Sequence, residues 1–408
     1  MNKYKIIAFT KTPILKKVKG NPGPAMGHAP TPTSPRRMEL KRAGFLRPMS
    51  PVNLYPAGLL RFNSELGAGG FGTVGLYSDI AVKTGVIRPD GRHSLTKEIR
   101  VVRRLFPDGA AAPENLFPVT VSSTDIIDRF IGEHGPALIS KPAAVGSLDT
   151  IRHLLTDIDA YITETDPERK LAIKAFIFAL ITYQMINGLL ELKFKKNGTE
   201  TPAVHCDVKP ANVLLHKQWH IGLTDFGLTH KVGDQGNYML GTPLYMAPEL
   251  LDTLNTDLSV TLTEKQDVWS VAATVYELLF GGMFYETKTW KRYYEPKSCS
   301  STTEYEMKFK ENLSAYLYKY TKKFQYKLCD YKKDTPMRGL HILLAHMFQL
   351  KPEKRPRLIK MRSFFSEELL NLSSTYNITP TEINDLFETM FSDSLRSKRS
   401  SLHHPHHH

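Results

Sequence analysis

The sequence predicts an α+β chain of two packed lobes, the first small and rich in strands, the second larger and mainly helical. Three observations carry this. The 408 residues exceed what one hydrophobic core ordinarily covers. Residues 56–139 read as short strands and turns followed by a basic helix near 94–106, whereas long helical patterns dominate from 147 to 370. Hydrophobic residues make up 41% and charged residues 23%, a mixture typical of water-soluble globular chains.

The first 55 residues are rich in Pro and Gly, as in "GNPGPAMGHAPTPTSPRR", and read as a disordered arm that buries little. Within residues 1–50, 11 Lys/Arg stand against one acid, Glu39, which places +10 of the net +13 there; the last 18 residues add +2. The body is near neutral, so the basic character belongs to the tails. The arm suits nuclear import, weak contact with nucleic acid or an anionic surface, or plain solubility. No stacking or groove-reading motif accompanies it. Thr12, Thr31, Ser34 and Ser50 each precede proline and read either as chance pairs in a solvated tail or as phosphorylation sites.

The start of the chain shows no secretory pattern, because its apolar "IIAF" is too short for a signal core. Cys206, Cys299 and Cys329 have no metal-ligand spacing and suit a reducing compartment, so the expectation is intracellular, cytoplasm or nucleus. The apolar stretch 175–192 is interrupted by Thr182, Tyr183, Gln184 and Asn187 and reads as a core helix, not a membrane span. A Tyr- and Lys-rich insertion near 283–336 reads as an exposed helix–loop excursion, with a docking surface as the alternative. Residues 371–408 read as a helix and a disordered tail.

Three stretches carry chemistry. "LGAGGFGTVGLY" supplies Gly67, Ala68, Gly69, Gly70, Phe71, Gly72 and Val74, a turn whose backbone N–H groups suit close approach to phosphate. The strand "DIAVKTG" follows, with Ala81 and with Lys83 placed to reach under that turn. "VHCDVKPANVLL" sets Asp207, Lys209 and Asn212 in an apolar frame, where ionisable groups are costly unless paired or bound to a charged ligand. Eighteen residues beyond Asp207, "TDFGLTH" adds Asp225 and Phe226.

In this order, over residues 60–365, these motifs resemble the eukaryotic-type serine/threonine protein kinase superfamily. The resemblance implies a bilobal kinase-like fold, with an N-lobe at 56–142 and a C-lobe at 143–370. It implies ATP with Mg²⁺ (or Mn²⁺) as cofactors and protein substrates with Ser/Thr acceptors. By the same resemblance Lys83 and Glu98 pair on the α- and β-phosphates, and Asp207 accepts the substrate hydroxyl proton. Lys209 lies near the γ-phosphate, and Asn212 and Asp225 hold metal. Thr242 in "GTPLYMAPEL" resembles the threonine that bonds the catalytic aspartate and lysine. Glu249 pairs with Arg355, and Asp267 braces the catalytic loop. Ser140, Lys141 to Ala144 and Asp149 correspond to the adenine and ribose side of the cleft.

The departures matter as well. Cys206 stands where many members carry an arginine that reads a phosphate, and the segment from Asp225 to Glu249 is short. Both imply activity without that phosphate, and leave Thr229 and Tyr238 as exposed loop residues. Ala272 replaces a usual glycine. These features look like the divergent kinases of large DNA viruses, herpesvirus-like ones among them. The alternatives are a pseudokinase scaffold, which predicts damage at Lys83, Asp207, Asn212 or Asp225, and phosphotransfer to a small molecule, which "GTPLYMAPEL" opposes.

Overall fold

Alternating apolar residues between residues 60 and 140 draw this stretch into one antiparallel sheet. The computed structural model describes residues 35–46, 60–69, 72–111, 113–128, 132–330 and 335–402. Gly70, Phe71, the four proline-directed Ser/Thr residues and the terminal histidines lie outside the described residues. Helix α1 (Pro35–Arg42) opens the described chain. Strands β1 (Phe62–Gly69), β2 (Gly72–Tyr77) and β3 (Ile80–Thr84) form a meander, and α2 (Thr96–Leu105) follows. β4 (Thr120–Ser123) and β5 (Pro136–Ser140) complete a sheet of order β1-β2-β3-β5-β4. Leu60, Ile80, Val82, Ile127, Ala137 and Ile139 form its own small core.

The helical lobe continues through β6 (Gly146–Ser147), α3 (Arg152–Thr156), α4 (Pro167–Glu191), β7 (Lys193–Lys196), β8 (Thr199–Val204), β9 (Val213–Leu215) and β10 (Ile221–Leu223). Then come β11 (His230–Lys231), β12 (Gln235–Gly236), α5 (Pro248–Thr256), β13 (Val260–Thr261), α6 (Glu264–Phe280), α7 (Lys288–Tyr293) and α8 (Thr302–Cys329). The last elements are α9 (Arg338–Met347), α10 (Leu358–Tyr376) and α11 (Pro380–Leu402). The short sheets β10-β9-β6 and β11-β8-β7 carry the loops that hold Asp207 and Asp225.

Helix α4 is the axis of this lobe. Asp166 caps its first turn, accepting from the Glu168 and Arg169 N–H groups, and Pro167 is preset for the helix start. It has 25 residues, and although it is long and apolar enough to cross a membrane, 89% of its most apolar stretch is buried inside the protein, so it is a core helix. The polar interruptions have partners. Gln184 Oε1 accepts from the Ile221 N–H at 3.0 Å, and its Nε2 donates to the Trp219 carbonyl at 2.7 Å. Asn187 donates to Asn115 Oδ1 at 2.7 Å, and Asn115 donates to the Ile221 carbonyl at 2.8 Å. These amides fix β10, the strand that delivers Asp225.

Three expectations are corrected. Residues 35–46 of the basic arm are folded: Leu40 is fully buried, Phe45 packs on Phe176 with ring centroids 4.8 Å apart, and Lys41 pairs with Glu114. The insertion is not an excursion. Leu313, Tyr316, Leu317 and Leu328 of α8 are buried, Phe324 stacks on Phe284 at 4.1 Å, and Gln325 donates to the Ala345 and Phe348 carbonyls. The helical spacing of these residues makes one face apolar, and burying that face outweighs the solubility of the lysines opposite. Thr229 is buried, and its hydroxyl donates to the His205 carbonyl at 3.4 Å, while Tyr238 is half-buried with its N–H bonded to Thr253 Oγ1.

The fold also sets an acid limit. Burial lowers both His220 and His341 to about 4. Nδ1 of His220 is buried without a hydrogen-bond partner among the described residues. An imidazole whose folded pKa lies below its unfolded value binds its proton mainly in the unfolded chain. Stability is therefore full above about pH 6.5 and falls toward pH 4, by about 1.4 kcal/mol per pH unit per group. Asp267, raised to about 6 by burial, works in the opposite sense over the same window, as do the raised carboxyls of Glu98, Asp207 and Glu368, so the histidine contribution is read by difference. Between pH 6.5 and 4.5 the melting temperature of His220→Asn is expected to gain on that of the wild type; parallel profiles contradict this.

Candidate active site

Strand register places the first part of the site. β2 and β3 pair so that Val74 lies opposite Lys83, and β3 pairs with β5 so that Lys83 lies opposite Leu138 and Ala81 opposite Ser140. Gly67, Ala68 and Gly69 end β1 and Gly72 begins β2, with Gly69 opposite Gly72. Gly72 has φ +150, and a Cβ there would lie 2.0 Å from the Thr84 carbonyl oxygen. Only glycine lets the hairpin close onto β3.

Lys83 Nζ lies 2.8 Å from Glu98 Oε2 and 3.6 Å from Asp225 Oδ1. Glu98 sits in the first turn of α2 and is buried. Burial alone would lower the Lys83 pKa, but Asp225 and Glu98 outweigh it and raise the net value, so the ammonium stays charged. The pair joins the sheet to α2, and Asp225 joins both to the helical lobe.

The second part forms on the loop between β8 and β9. Asp267 of α6 is buried and accepts from the backbone N–H groups of His205 (2.8 Å) and Cys206 (3.1 Å). His205 Nδ1 accepts from the Asp207 N–H at 3.1 Å, which leaves Nε2–H to donate to the Thr224 carbonyl at 2.9 Å. The loop is thus fixed on one side to α6 and on the other to the residue before Asp225. Cys206 and Asp225 both have left-handed backbones, φ +69 and +60. Asp enters that region more readily than most residues and Cys rarely does, and strain of the Cys206 kind collects where the surroundings dictate a side chain's position. Burial, followed by the nearby Asp267 carboxylate, pushes the Cys206 thiol well up and keeps it neutral.

Asp207 is held from two sides. Thr242 Oγ1 donates to its Oδ1 at 2.8 Å, and Asn212 Nδ2 donates to its Oδ2 at 3.2 Å and its carbonyl at 2.8 Å. Lys209 Nζ donates to Thr242 Oγ1 at 2.9 Å and lies 3.7 Å from Asp207 Oδ2. Gly241, at φ +123, allows this approach: a Cβ there would lie 3.0 Å from the Cys206 carbonyl oxygen. Burial raises the Asp207 pKa against the opposing pull of Lys209 and Thr242, and Asp225 adds to the rise. Phe226 is fully buried between Phe106, at 5.6 Å between ring centroids, and His205, at 5.8 Å.

Asn212 and Asp225 suit a hard divalent cation. Both Asn212 contacts use its amide nitrogen, so its Oδ1 has no hydrogen-bond partner among the described residues. The Asp225 contacts fall on Oδ1, with Lys83 and the Gly227 N–H. Two side-chain oxygens completed by phosphate oxygens are a usual Mg²⁺ donor set. The adenine side is plainer. Ser140 ends β5, the Ala144 N–H donates to His216 Nδ1 at 3.0 Å, and Asp149 is exposed, 3.9 Å from Arg152 Nε. Sequence reasoning missed two residues, His205 and Glu277. Glu277 accepts from the Tyr245 hydroxyl at 2.9 Å and from Arg152 at 2.9 Å. Only their places inside apolar runs hinted at buried partners.

The protein kinase domain family matches residues 155–367, the helical lobe with Asp207, Asn212 and Asp225. The match covers more than half the chain and leaves the glycine turn, Lys83 and Glu98 outside it. The chain is 28% identical to serine/threonine-protein kinase pakE of Dictyostelium discoideum over 229 residues, 54% of this chain and 21% of that protein. It is 32% identical to serine/threonine-protein kinase Nek2 of Homo sapiens over 125 residues, 30% of this chain and 26% of that one. It is 32% identical to serine/threonine-protein kinase polo of Drosophila melanogaster over 136 residues, 32% and 22% of the respective chains. The chain therefore spans about a quarter or less of these relatives.

Proposed function

This chain belongs to the protein kinase domain family, and we propose that it transfers the γ-phosphoryl group of Mg-ATP to Ser or Thr hydroxyls of protein substrates. The observation that supports this most is the joint held by Lys83, between Glu98 and Asp225, beside an aspartate gripped by Thr242, Asn212 and Lys209. Asn212 and Asp225 would hold Mg²⁺, which supplies positive charge to the phosphate oxygens when bound. Lys83 orients the α- and β-phosphates. Asp207 accepts the hydrogen bond of the acceptor hydroxyl, aims its oxygen and takes its proton. Lys209 balances charge at the transferring group. Catalysis is then positioning and fixed charge more than covalent chemistry.

Two further readings go with it. The site needs no phosphate on segment 225–249, because Cys206 stands next to Asp207 and Lys209 and Thr242 already hold the aspartate. The three free cysteines suit the cytoplasm or nucleus, and the departures suit a divergent member of the kind carried by large DNA viruses. The basic arm gives weak contact with nucleic acid or an anionic surface as an accessory property.

The test is direct. The purified chain is stripped of phosphate with a phosphatase, the phosphatase is removed, and Mg-ATP is added with a degenerate Ser/Thr/Tyr peptide library read by mass spectrometry. Phosphorylated Ser or Thr from the stripped enzyme is the expected result. Phosphotyrosine products alone, or activity lost on stripping, contradict the respective parts.

A further inference from the structure

We infer that Lys310, on the inserted helix α8, is a positioning residue that holds the segment leading to Thr242 in place for a peptide substrate. The inference rests on the phosphotransfer reading above. Lys310 is only 5% exposed yet carries an ammonium group. A buried cation is costly unless it is paired. Two partners meet it among the described residues. Glu306 Oε1, one turn back on the helix, lies 3.3 Å away, and the ring of Tyr238 lies beneath Nζ at 5.7 Å to the centroid. The Glu306 side chain is 54% exposed, so water weakens that pair. The half-buried ring of Tyr238 lies within the roughly 6 Å range over which a ring face attracts a cation, and it is the partner that joins α8 to another segment.

Tyr238 belongs to the segment between Asp225 and Glu249. Its backbone N–H donates to Thr253 Oγ1 on α5 at 2.7 Å, and α5 packs against α8. Just before it, β12 is tied to β13. Four residues further on, Thr242 bridges Asp207 and Lys209. A ring fixed at 238 therefore limits how far Thr242 can drift from Asp207. A lysine from this chain's own inserted helix thus braces the segment from beneath and makes an added phosphate there unnecessary.

The test uses the full chain. Lys310→Met keeps most of the stem and removes the charge. It is expected to lower kcat/KM for a peptide about tenfold while leaving KM for ATP unchanged. Tyr238→Leu should give the same loss, and the double variant should be no worse than either single one. Tyr238→Phe keeps the ring and should behave as wild type. Lys310→Arg should recover most of the activity, because a guanidinium also sits on aromatic faces. Additive losses, a Tyr238→Phe as impaired as Tyr238→Leu, or an equal change in KM for ATP would overturn the assignment. Limited proteolysis of segment 225–249 reads the brace without turnover. Faster cleavage in Lys310→Met supports it and unchanged cleavage overturns it. That holds even where the wild-type chain transfers no phosphate, an outcome that would reject the phosphotransfer reading instead.

Discussion

On the proposed function, Asp207→Asn is expected to lower kcat by about 10²–10⁴-fold while leaving Mg-ATP affinity near that of the wild type. The amide oxygen can still accept from Thr242, and Asn212 keeps its bond to the backbone carbonyl of residue 207, so the loop keeps its shape. What disappears is the negative charge that, in the proposed reaction, orients the acceptor hydroxyl and takes its proton. The pH profile separates this from a folding defect. Burial raises the Asp207 pKa above the ordinary aspartate value of about 3.9. A base works when ionised, so wild-type kcat falls as pH drops through that raised value, whereas the residual activity of Asp207→Asn lacks this limb. Undiminished phosphorylation by the variant would remove Asp207 from its role.

Arg355→Met destabilises the helical lobe by about 3–5 kcal/mol, or about 10 °C in melting temperature. Arg355 is 1% exposed, and all five of its N–H groups are engaged. Nη1 and Nη2 donate to the two oxygens of Glu249 at 2.7 Å each. Nε donates to the Gln349 carbonyl at 2.7 Å, Nη1 also to that of Lys265 at 3.0 Å, and Nη2 also to that of Leu350 at 3.2 Å. Removing the guanidinium strands the Glu249 carboxylate, left with Gln266 Nε2 at 2.8 Å, together with three carbonyls. Arg355→Lys also loses stability, because three donors on a flexible stem cannot reproduce a planar fork. Adding Glu249→Leu to Arg355→Met recovers part of the loss by removing the stranded charge. Denaturant unfolding of the variants checks this. A loss in Arg355→Met under about 1 kcal/mol would show that the buried pair carries little of the fold.

The parts of the site that depend on local spacing were readable from the chain. Asp207, Lys209 and Asn212 share one loop, so six residues fix their chemistry together. Lys83 lies on β3, where alternation sets the side-chain direction, whereas Asp225 lies on the loop after β10 with a left-handed backbone and was legible only by its spacing from Asp207. What could not be read was long-range. The burial of Thr229 depends on where the His205 carbonyl ends up, which no local pattern encodes. The aromatic and lysine residues of 302–329 read as an exposed excursion or a docking surface, and neither reading put them in the core. The helix is packed because Phe284, Phe348 and Trp290 arrive from outside it and meet its rings. Residues 35–46 looked like a tail by composition, but Leu40, Phe45 and Leu46 pack on the core and Lys41 pairs with Glu114, which docks a short helix against α10 with Phe45 on α4. Gln184 and Asn187 were legible only as interruptions of an apolar run; their partners, Asn115 and the β10 backbone, come from distant segments.

The central claim is that Lys83, Asn212 and Asp225 converge on one metal–triphosphate. Calorimetric titration of ATP into the wild type, Lys83→Met and Asp225→Asn, each with and without Mg²⁺, tests it most directly. The account predicts that Mg²⁺ tightens ATP binding to the wild type. Asp225→Asn should lose that gain, about tenfold or more, and Lys83→Met should bind ATP more weakly in both conditions. Equal Mg²⁺ dependence in the wild type and Asp225→Asn would contradict it.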